Sequence, residues 1–389
     1  MCFKFGEILL PKTVSVKDWA VVACDQYTSN VKYWEDIKNS VSEPSTLNLI
    51  FPECYLSADN SERIEKIIEK QREYVANDIF REIEGTVLVH RTTAYGNDRW
   101  GLMCLVDLDE YSNDKGAKPL IRATEGLVIE RIPPRVQIRK NCPLELPHIM
   151  VLIDDSERTV IEPLISSVDE VLYDGEMNGG GGKITGYNVV DTTGAENALK
   201  DLLAKSIEKY GERLLFLVGD GNHSLATAKA CRDESNPRSK YALVEIVNIY
   251  DEGLKFEPIH RAIFGVDNKK FIDGLSAVMA GKTCKTTVYD GDKVGEIEFP
   301  ENSIEGVKLV QEYIDAYLKQ NGGEVDYIHG SDELISVCRE KKAVGIALKA
   351  IDKSTFFDYI VKNGTLPRKT FSMGEADEKR YYIECRKVK

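Results

Sequence analysis

Four consecutive residues, Asp220, Gly221, Asn222 and His223, place an acid, an amide and an imidazole around one glycine. They follow the apolar run 214–218 and precede a segment rich in alanine. This pattern predicts a buried strand, a tight turn and a helix whose first turn carries the histidine. Backbone N–H groups at such a helix start favour a bound anion, so the sequence indicates a phosphate site.

The polar residues of this turn each have a chemical and a structural interpretation. Asp220 can hold Mg²⁺ beside bound phosphates, or it can accept a hydrogen bond as the N-cap of the helix. Gly221 allows a backbone conformation that other residues resist, and it lets a ligand approach closely. Asn222 and Ser224 can cap the helix or bind a phosphate oxygen. His223 lies at the positive end of the helix, which favours a neutral imidazole donor.

Composition and charge limit the classes of function. The 389 residues carry a formal net charge of −13, with 42% hydrophobic and 30% charged residues, which is the balance of a globular protein. Non-specific DNA binding depends on phosphate neutralisation by Lys and Arg. The charge therefore disfavours a nucleic-acid partner, and only a local basic patch would provide for one.

The apolar segments and the cysteines indicate the cellular location of the protein. No apolar run approaches the roughly 18 residues of a membrane span, and the first residues lack a secretory pattern. The nine cysteines form no Cys-x-x-Cys pair, which favours reduced thiols and a cytoplasmic location. The five histidines show no paired spacing, so we expect no zinc site.

Strand and helix patterns alternate along the chain without the Gly-x-Gly-x-x-Gly signature of a Rossmann fold. They predict an α/β protein with a mixed sheet, of the α+β type. The glycine-rich stretch 174–183 predicts a mobile hairpin tip, because Met177 and Ile184 stand where a phosphate-binding loop needs Gly and Ser or Thr. We divide the chain into an N-terminal α/β segment, a central segment with the Asp-Gly-x-His turn and a C-terminal α/β segment, at 1–150, 151–265 and 266–389.

The turn at 219–224 resembles the Asp-Gly-His-His-Arg box of the DUF1015 family. That box is similar to the one in the ParB/sulfiredoxin-like fold, which includes archaeal free-serine kinases. Four further segments resemble segments of the same family in the same order, at 121–125, 256–261, 327–333 and 366–371. The resemblance covers nearly the whole chain and implies a ParB/sulfiredoxin-like core with additional N- and C-terminal α/β segments.

The chain departs from the family pattern at three positions. Asn222 stands where the box has its first histidine, and Thr124 stands where the family often has a histidine. Ser224 replaces the arginine of the box, which removes a forked, permanently charged phosphate donor.

The resemblance implies nucleotide-dependent phosphoryl transfer to a small hydroxyl compound, with ATP or ADP and Mg²⁺ as cofactors and free L-serine as the first candidate acceptor. It makes Asp220 and His223 catalytic, with Asp220 as the magnesium ligand and Glu125 as the base that takes the hydroxyl proton. Nucleotide and phosphate contacts are expected from Gly219, Gly221, Asn222, Ser224 and Arg261. Substrate contacts are expected from Arg122 and His260.

Other classes of function remain open. A nucleotide-binding regulator of the ParB-like fold would need basic helical faces, which the charge of −13 disfavours. A degenerate, non-catalytic binding protein is consistent with the lost box arginine. Thiol repair of the sulfiredoxin type needs a cysteine in the box, where Asn222 and His223 stand.

Overall fold

The computed structural model describes residues 1–114, 116–367 and 369–389. These residues pack as two units, one formed by Met1–Leu254 with Ala376–Lys389 and the other by Lys255–Glu375. The chain therefore leaves the first unit, forms the second and returns to the first. These boundaries differ from those expected at 150 and 265, because strands on both sides of residue 150 share one sheet.

Helices and strands alternate irregularly along the described residues. The helices are α1 (Val16–Trp19), α2 (Val31–Ser40), α3 (Ser61–Ala76), α4 (Ile132–Arg139), α5 (Glu162–Ile165), α6 (Thr193–Tyr210), α7 (Asn222–Ala230), α8 (Asn268–Met279), α9 (Ser303–Asn321), α10 (Ser331–Lys341) and α11 (Lys353–Asn363). The strands are β1 (Phe3–Lys4), β2 (Ile8–Pro11), β3 (Val21–Val22), β4 (Phe80–Ile83), β5 (Thr86–Thr92), β6 (Asp98–Asp107), β7 (Tyr111–Ser112), β8 (Ile121–Ala123), β9 (Leu144–Glu145), β10 (Met150–Ile153), β11 (Val171–Glu176), β12 (Lys183–Val189), β13 (Phe216–Asp220), β14 (Tyr241–Asn248), β15 (Phe256–Phe264), β16 (Cys284–Asp290), β17 (Lys293–Phe299), β18 (Glu324–His329), β19 (Val344–Ile346), β20 (Phe371–Met373), β21 (Tyr381–Tyr382) and β22 (Arg386–Lys387).

A mixed sheet forms the centre of the first unit. Its strand order is β11-β12-β5-β6-β14-β10-β13-β8-β7, and β1 also pairs with β6. The pairs β10 with β14, β8 with β13 and β7 with β8 are parallel, whereas β5, β6 and β14 are antiparallel neighbours. The predicted mixed-sheet α/β fold is confirmed.

The middle of this sheet is buried on both faces. Along β6, Leu102, Cys104 and Val106 enter one hydrophobic core, and Met103 and Leu105 enter the core on the other face. Because side chains alternate between faces along a strand, a strand covered on both sides needs an unbroken apolar run. This accounts for the continuous hydrophobic segments of the sequence.

One edge of the sheet carries the turn that follows Asp220. Val218 of β13 lies opposite Ala123 of the parallel strand β8, and Asp220 lies opposite Met150 of the antiparallel strand β10. The carboxyl ends of β8 and β13 therefore meet the amino end of β10. Ligands of α/β proteins commonly bind outside the carboxyl ends of strands.

The stretch 174–183 forms the predicted hairpin between β11 and β12. Its tip was expected to be mobile, but Met177 and Asn178 are buried. The Asn178 amide donates a hydrogen bond to the Lys17 carbonyl at 3.0 Å. The tip is therefore anchored on the segment that carries α1.

The second unit has its own sheet and core. Its strand order is β17-β16-β19-β15-β18, and β20 also pairs with β15. Helices α8 and α9 contribute Phe271, Val307 and Ile314 to the core on one face. Helix α10 contributes Leu334 to a second cluster that includes Ala262 of β15.

No helix in the described part of the chain combines the length and the hydropathy that a membrane span requires.

Candidate functional site

The turn between β13 and α7 depends on Gly221. Its φ of 83° and ψ of 25° are in the left-handed region, which L-residues other than glycine adopt at a cost of about 1–2 kcal/mol. A Cβ added to Gly221 would lie 3.0 Å from both the Cα and the Cγ1 of Ile149. The turn therefore needs glycine for its backbone angles and for its close approach to β10.

The first turn of α7 presents three backbone N–H groups, those of Asn222, His223 and Ser224. The first hydrogen bond of the helix runs from the Leu225 N–H to the Gly221 carbonyl at 2.9 Å. Within the described residues, no acceptor pairs with the three preceding N–H groups, and no side chain caps the helix. Unpaired N–H groups at a helix start attract anions.

Asp220 ends β13 and does not cap the helix. Its Oδ1 accepts the N–H of Gly221 at 2.8 Å, and its Oδ2 lies 3.2 Å from the Nζ of Lys379. The buried Arg91 guanidinium holds the segment that carries this lysine, by donating to the carbonyls of Asp377 at 2.6 Å and Glu378 at 3.0 Å. Lys379 thus supplies a cation beside a box that lacks its arginine.

His223 is a neutral imidazole with a defined tautomer. Its Nε2 accepts the N–H of Val128 at 3.0 Å, so its hydrogen is on Nδ1. Burial, followed by the charges of Arg135 and Arg131, lowers the pKa of His223 from 6.5 to about 4, although Asp25 opposes this shift. The Nδ1–H is therefore a neutral hydrogen-bond donor near pH 7.

We expect His223 to stay neutral until the pH falls to about 4. Because its pKa is about 6.5 in an unfolded chain, the unfolded state binds more protons between these two values. The contribution of His223 to the free energy of unfolding is then complete above pH 6.5 and is lost as the pH falls towards 4. NMR titration of the imidazole measures this pKa, with the ordinary histidine value of about 6.5 as the reference. A His223 midpoint near the reference value would contradict the burial argument.

The segment that carries Glu125 lies beside the turn. Thr124 Oγ1 donates to the Val218 carbonyl at 2.7 Å, and the Val128 N–H donates to His223. The structure therefore brings the residues on both sides of Glu125 to the start of α7, as the parallel pairing of β8 and β13 requires. The role of Glu125 as a base stays a prediction.

Sequence reasoning missed three polar residues of this edge, Asp25, His148 and Lys379. Burial acts to raise the pKa of Asp25, but the neighbouring His148 imidazole and the charge of Arg135 hold it below its ordinary value. His148 precedes β10, so its position follows once the antiparallel pairing of β10 with β13 is known. The sequence around Asp25 and around Lys379 does not indicate a role at this site. Both residues are brought there by packing between distant parts of the chain.

A cavity of about 130 Å³ opens next to the first turn of α7. Ser224 and Thr227 line it from the helix, and His148 and Ile149 line it from the start of β10. The cavity and the unpaired N–H groups therefore both lie at the start of α7.

Three other predicted site residues form hydrogen bonds with residues close to them in the fold. Arg122 is buried on β8, where it donates to Glu212 at 2.6 Å and to the Pro119 carbonyl at 3.1 Å. His260 and Arg261 belong to the second unit, on β15. A role of Arg122, His260 or Arg261 in ligand binding stays a prediction.

The contacts of His260 and Arg261 stabilise the second unit. The fully buried Arg261 donates to Gln311 Oε1 at 2.9 Å and to the carbonyls of Ile259 and Lys369 at 2.6 Å and 2.9 Å. His260 Nδ1 accepts the Leu348 N–H at 3.0 Å. Burial and then the Arg261 charge lower the pKa of His260.

The turn offers one carboxylate, that of Asp220, as a candidate magnesium ligand. Both carboxylate oxygens of Asp220 are engaged, by Gly221 and by Lys379. In the described part of the chain, no three His, Cys, Asp or Glu side chains gather as metal ligands. The role of Asp220 as a magnesium ligand stays a prediction.

These features define a mixed α/β protein with a candidate anion-binding turn beside titratable side chains. The chain belongs to the family described as "Protein of unknown function (DUF1015)", whose model matches residues 5–387. This confirms the family predicted from the sequence, while the likeness of its box to the ParB/sulfiredoxin-like fold stays a prediction.

Solved structures with a similar arrangement include a free serine kinase in complex with AMP, at 13% identity over 73% of this chain and 90% of that chain, with a TM-score of 0.37. A conserved hypothetical protein from Pyrococcus furiosus matches at 14% identity over 72% and 90%, with a TM-score of 0.35. SbnI from Staphylococcus aureus, with a C-terminal truncation, matches at 14% identity over 69% and 81%, with a TM-score of 0.36. No curated protein matches the sequence significantly.

Proposed function

We propose that this protein binds the phosphates of a nucleotide at the first turn of α7 and transfers a phosphoryl group to the hydroxyl of a small molecule. The observation that carries the proposal is the set of unpaired N–H groups at 222–224, next to the Asp220–Lys379 pair and the neutral His223. Phosphoryl transfer depends mainly on positioning and charge stabilisation, and these groups supply both.

Each residue of the turn has a role in this proposal. The N–H groups of Asn222, His223 and Ser224 bind phosphate oxygens, and Nδ1–H of His223 donates to one of them. Lys379 offsets the negative charge of the phosphates, and Gly219 and Gly221 keep the turn open to the ligand. Either ATP or ADP, supplied as its magnesium complex, is the donor.

Glu125 is proposed as the base that accepts the hydroxyl proton, because the hydrogen bonds of Thr124 and Val128 hold its segment beside the turn. Free L-serine is the first acceptor to test. The resemblance of the box to that of free-serine kinases supports this choice of acceptor.

Nucleotide binding is tested with a matched pair of glycine variants. We expect Gly221→Ala to weaken ADP binding by about tenfold or more, a loss of about 1.4 kcal/mol, because the added Cβ meets Ile149 and displaces the turn. Gly211, the C-cap of α6, has a φ of 72°, and a Cβ there would meet nothing within 4 Å. Gly211→Ala therefore imposes a similar backbone cost far from the turn.

Isothermal titration of both variants with ADP and ATP measures the effect. The proposal predicts that Gly211→Ala binds like the native protein and that Gly221→Ala does not. Equal nucleotide affinities for the two variants would overturn the placement of the site. Nucleotide binding without any phosphoryl transfer would instead support the non-catalytic binding protein.

A further inference from the structure

A chain of hydrogen bonds connects Ser224 to the interior of the first unit. Ser224 Oγ lies 3.0 Å from Nε2 of His148, and Nδ1 of His148 lies 2.9 Å from the hydroxyl of Tyr382. His148 is only 8% exposed and Tyr382 only 3%. The imidazole is thus fixed between two hydroxyl groups, and both Ser224 and Tyr382 line the cavity.

The surroundings of Tyr382 allow the imidazole to act as a base toward Ser224. The phenol oxygen already accepts the Cys24 N–H at 3.2 Å, and the Cys24 side chain is a further polar neighbour of the phenol. The second lone pair of the phenol oxygen can accept a hydrogen from Nδ1 of His148. His148 can then carry its hydrogen on Nδ1 and leave Nε2 free to accept the Ser224 hydrogen.

The cavity next to Ser224 suits a small apolar group. About half of its lining residues are aliphatic or aromatic, including Leu49, Ile50, Phe51, Ile138, Leu146 and Ile149. Its volume is about 130 Å³, close to that of an engineered cavity of about 150 Å³ that binds benzene.

The charged residues that line this cavity are paired with each other. Arg139 lies 2.7 Å from Glu145, and Arg135 forms an ion pair with Glu53. Ser224 and His148 are among the uncharged polar residues that line the cavity.

We propose that Ser224 is an activated nucleophile, with His148 as its base, for the ester of a short apolar carboxylic acid whose acyl group fills the cavity. The Ser224 oxygen bonds to the carbonyl carbon, and its proton passes to Nε2 of His148. The bond to the ester's alkoxy oxygen then breaks, and this leaving group takes the proton from His148. Water hydrolyses the resulting acyl serine. The site does not rest on the proposed phosphoryl transfer.

The backbone at the same helix start can stabilise the oxyanion of this reaction. The N–H groups of His223 and Ser224 have no acceptor among the described residues. N–H groups aimed at a developing oxyanion stabilise acyl transfer. The nucleophile and its oxyanion donors therefore lie on one turn of α7.

Phenylmethylsulfonyl fluoride is a suitable probe, because its phenyl ring matches the size of the cavity. Reaction would form a bond between Ser224 Oγ and sulfur and release fluoride, with the proton passing to His148. Intact-mass measurement should show one phenylmethylsulfonyl group on the native protein, and peptide mapping should place it on Ser224. Ser224→Ala should prevent the adduct. Ser235→Ala, at an exposed serine outside the site, should leave labelling unchanged.

Two further variants test the hydrogen-bond chain. His148→Asn should slow labelling about a hundredfold, the usual contribution of a general base, with a thermal melt to show that the variant folds. Tyr382→Phe should lower the maximal labelling rate without changing the probe concentration at half-maximal rate, because the ring that lines the cavity is kept and only the hydroxyl that positions His148 is lost.

The proposal is overturned if the native protein forms no adduct, if Ser224→Ala is labelled equally, or if His148→Asn reacts at the native rate. These outcomes do not depend on nucleotide binding. Failure of this site and failure of the phosphate site are therefore distinguishable.

Discussion

Replacing Glu125 with glutamine should lower the rate of phosphoryl transfer by about 10²–10⁴-fold, the range that general base catalysis contributes. Glutamine keeps the shape of the side chain but cannot accept the hydroxyl proton. Nucleotide affinity should be unchanged, because the phosphates bind the start of α7. The rate is measured as product formed with saturating magnesium nucleotide and acceptor.

A neighbouring carboxylate provides the control for this variant. Glu130 is exposed and follows Glu125 on the same connection between β8 and α4. Glu130→Gln should therefore keep the native rate. If Glu125→Gln transfers phosphoryl groups as fast as Glu130→Gln, Glu125 is not the base.

Replacing Glu245 with glutamine should lower the free energy of unfolding of the first unit by about 3–5 kcal/mol, the usual loss when one partner of a buried ion pair is removed. Glu245 is 1% exposed. Its carboxylate lies 3.0 Å from Nε of Arg380 and 3.6 Å from an Arg99 nitrogen. Although burial acts to lower it, the Glu384 and Glu245 carboxylates hold the pKa of Arg380 above its usual value. Neutralising Glu245 leaves these buried cations with one counter-charge fewer.

Denaturant unfolding followed by tryptophan fluorescence measures this loss. The three tryptophans, Trp19, Trp34 and Trp100, all belong to the first unit. The control is Glu62→Gln, which removes an exposed pair with Lys66 on α3 and should leave the free energy of unfolding nearly unchanged. Similar losses for the two variants would show that the buried network does not stabilise the unit.

Part of the site could be predicted from local sequence, because local chemistry determines it. The apolar run before Asp220 and the glycine after it predicted the strand, turn and helix, which are confirmed as β13 and α7. The position of the Glu125 segment depends on the pairing of β8 with β13. Only the family resemblance indicated it from the sequence.

Other parts depend on packing that no short window contains. Lys379 reaches Asp220 because the chain returns to the first unit and Arg91 holds its segment. The tip at Asn178 is rich in glycine, yet it is held by hydrogen bonds to distant carbonyls. The glycine-rich composition predicted a mobile tip. This prediction was wrong, because composition does not show which distant backbone groups lie near the tip.

³¹P NMR of the protein with L-serine and magnesium ATP or ADP tests the central claim most directly. The account predicts that a phosphoserine resonance grows while the terminal phosphate of the nucleotide declines, and that Glu125→Gln slows both changes together. A panel of other small hydroxyl compounds separates a wrong acceptor from a wrong reaction. Nucleotide resonances that stay unchanged with every acceptor would contradict phosphoryl transfer by this protein.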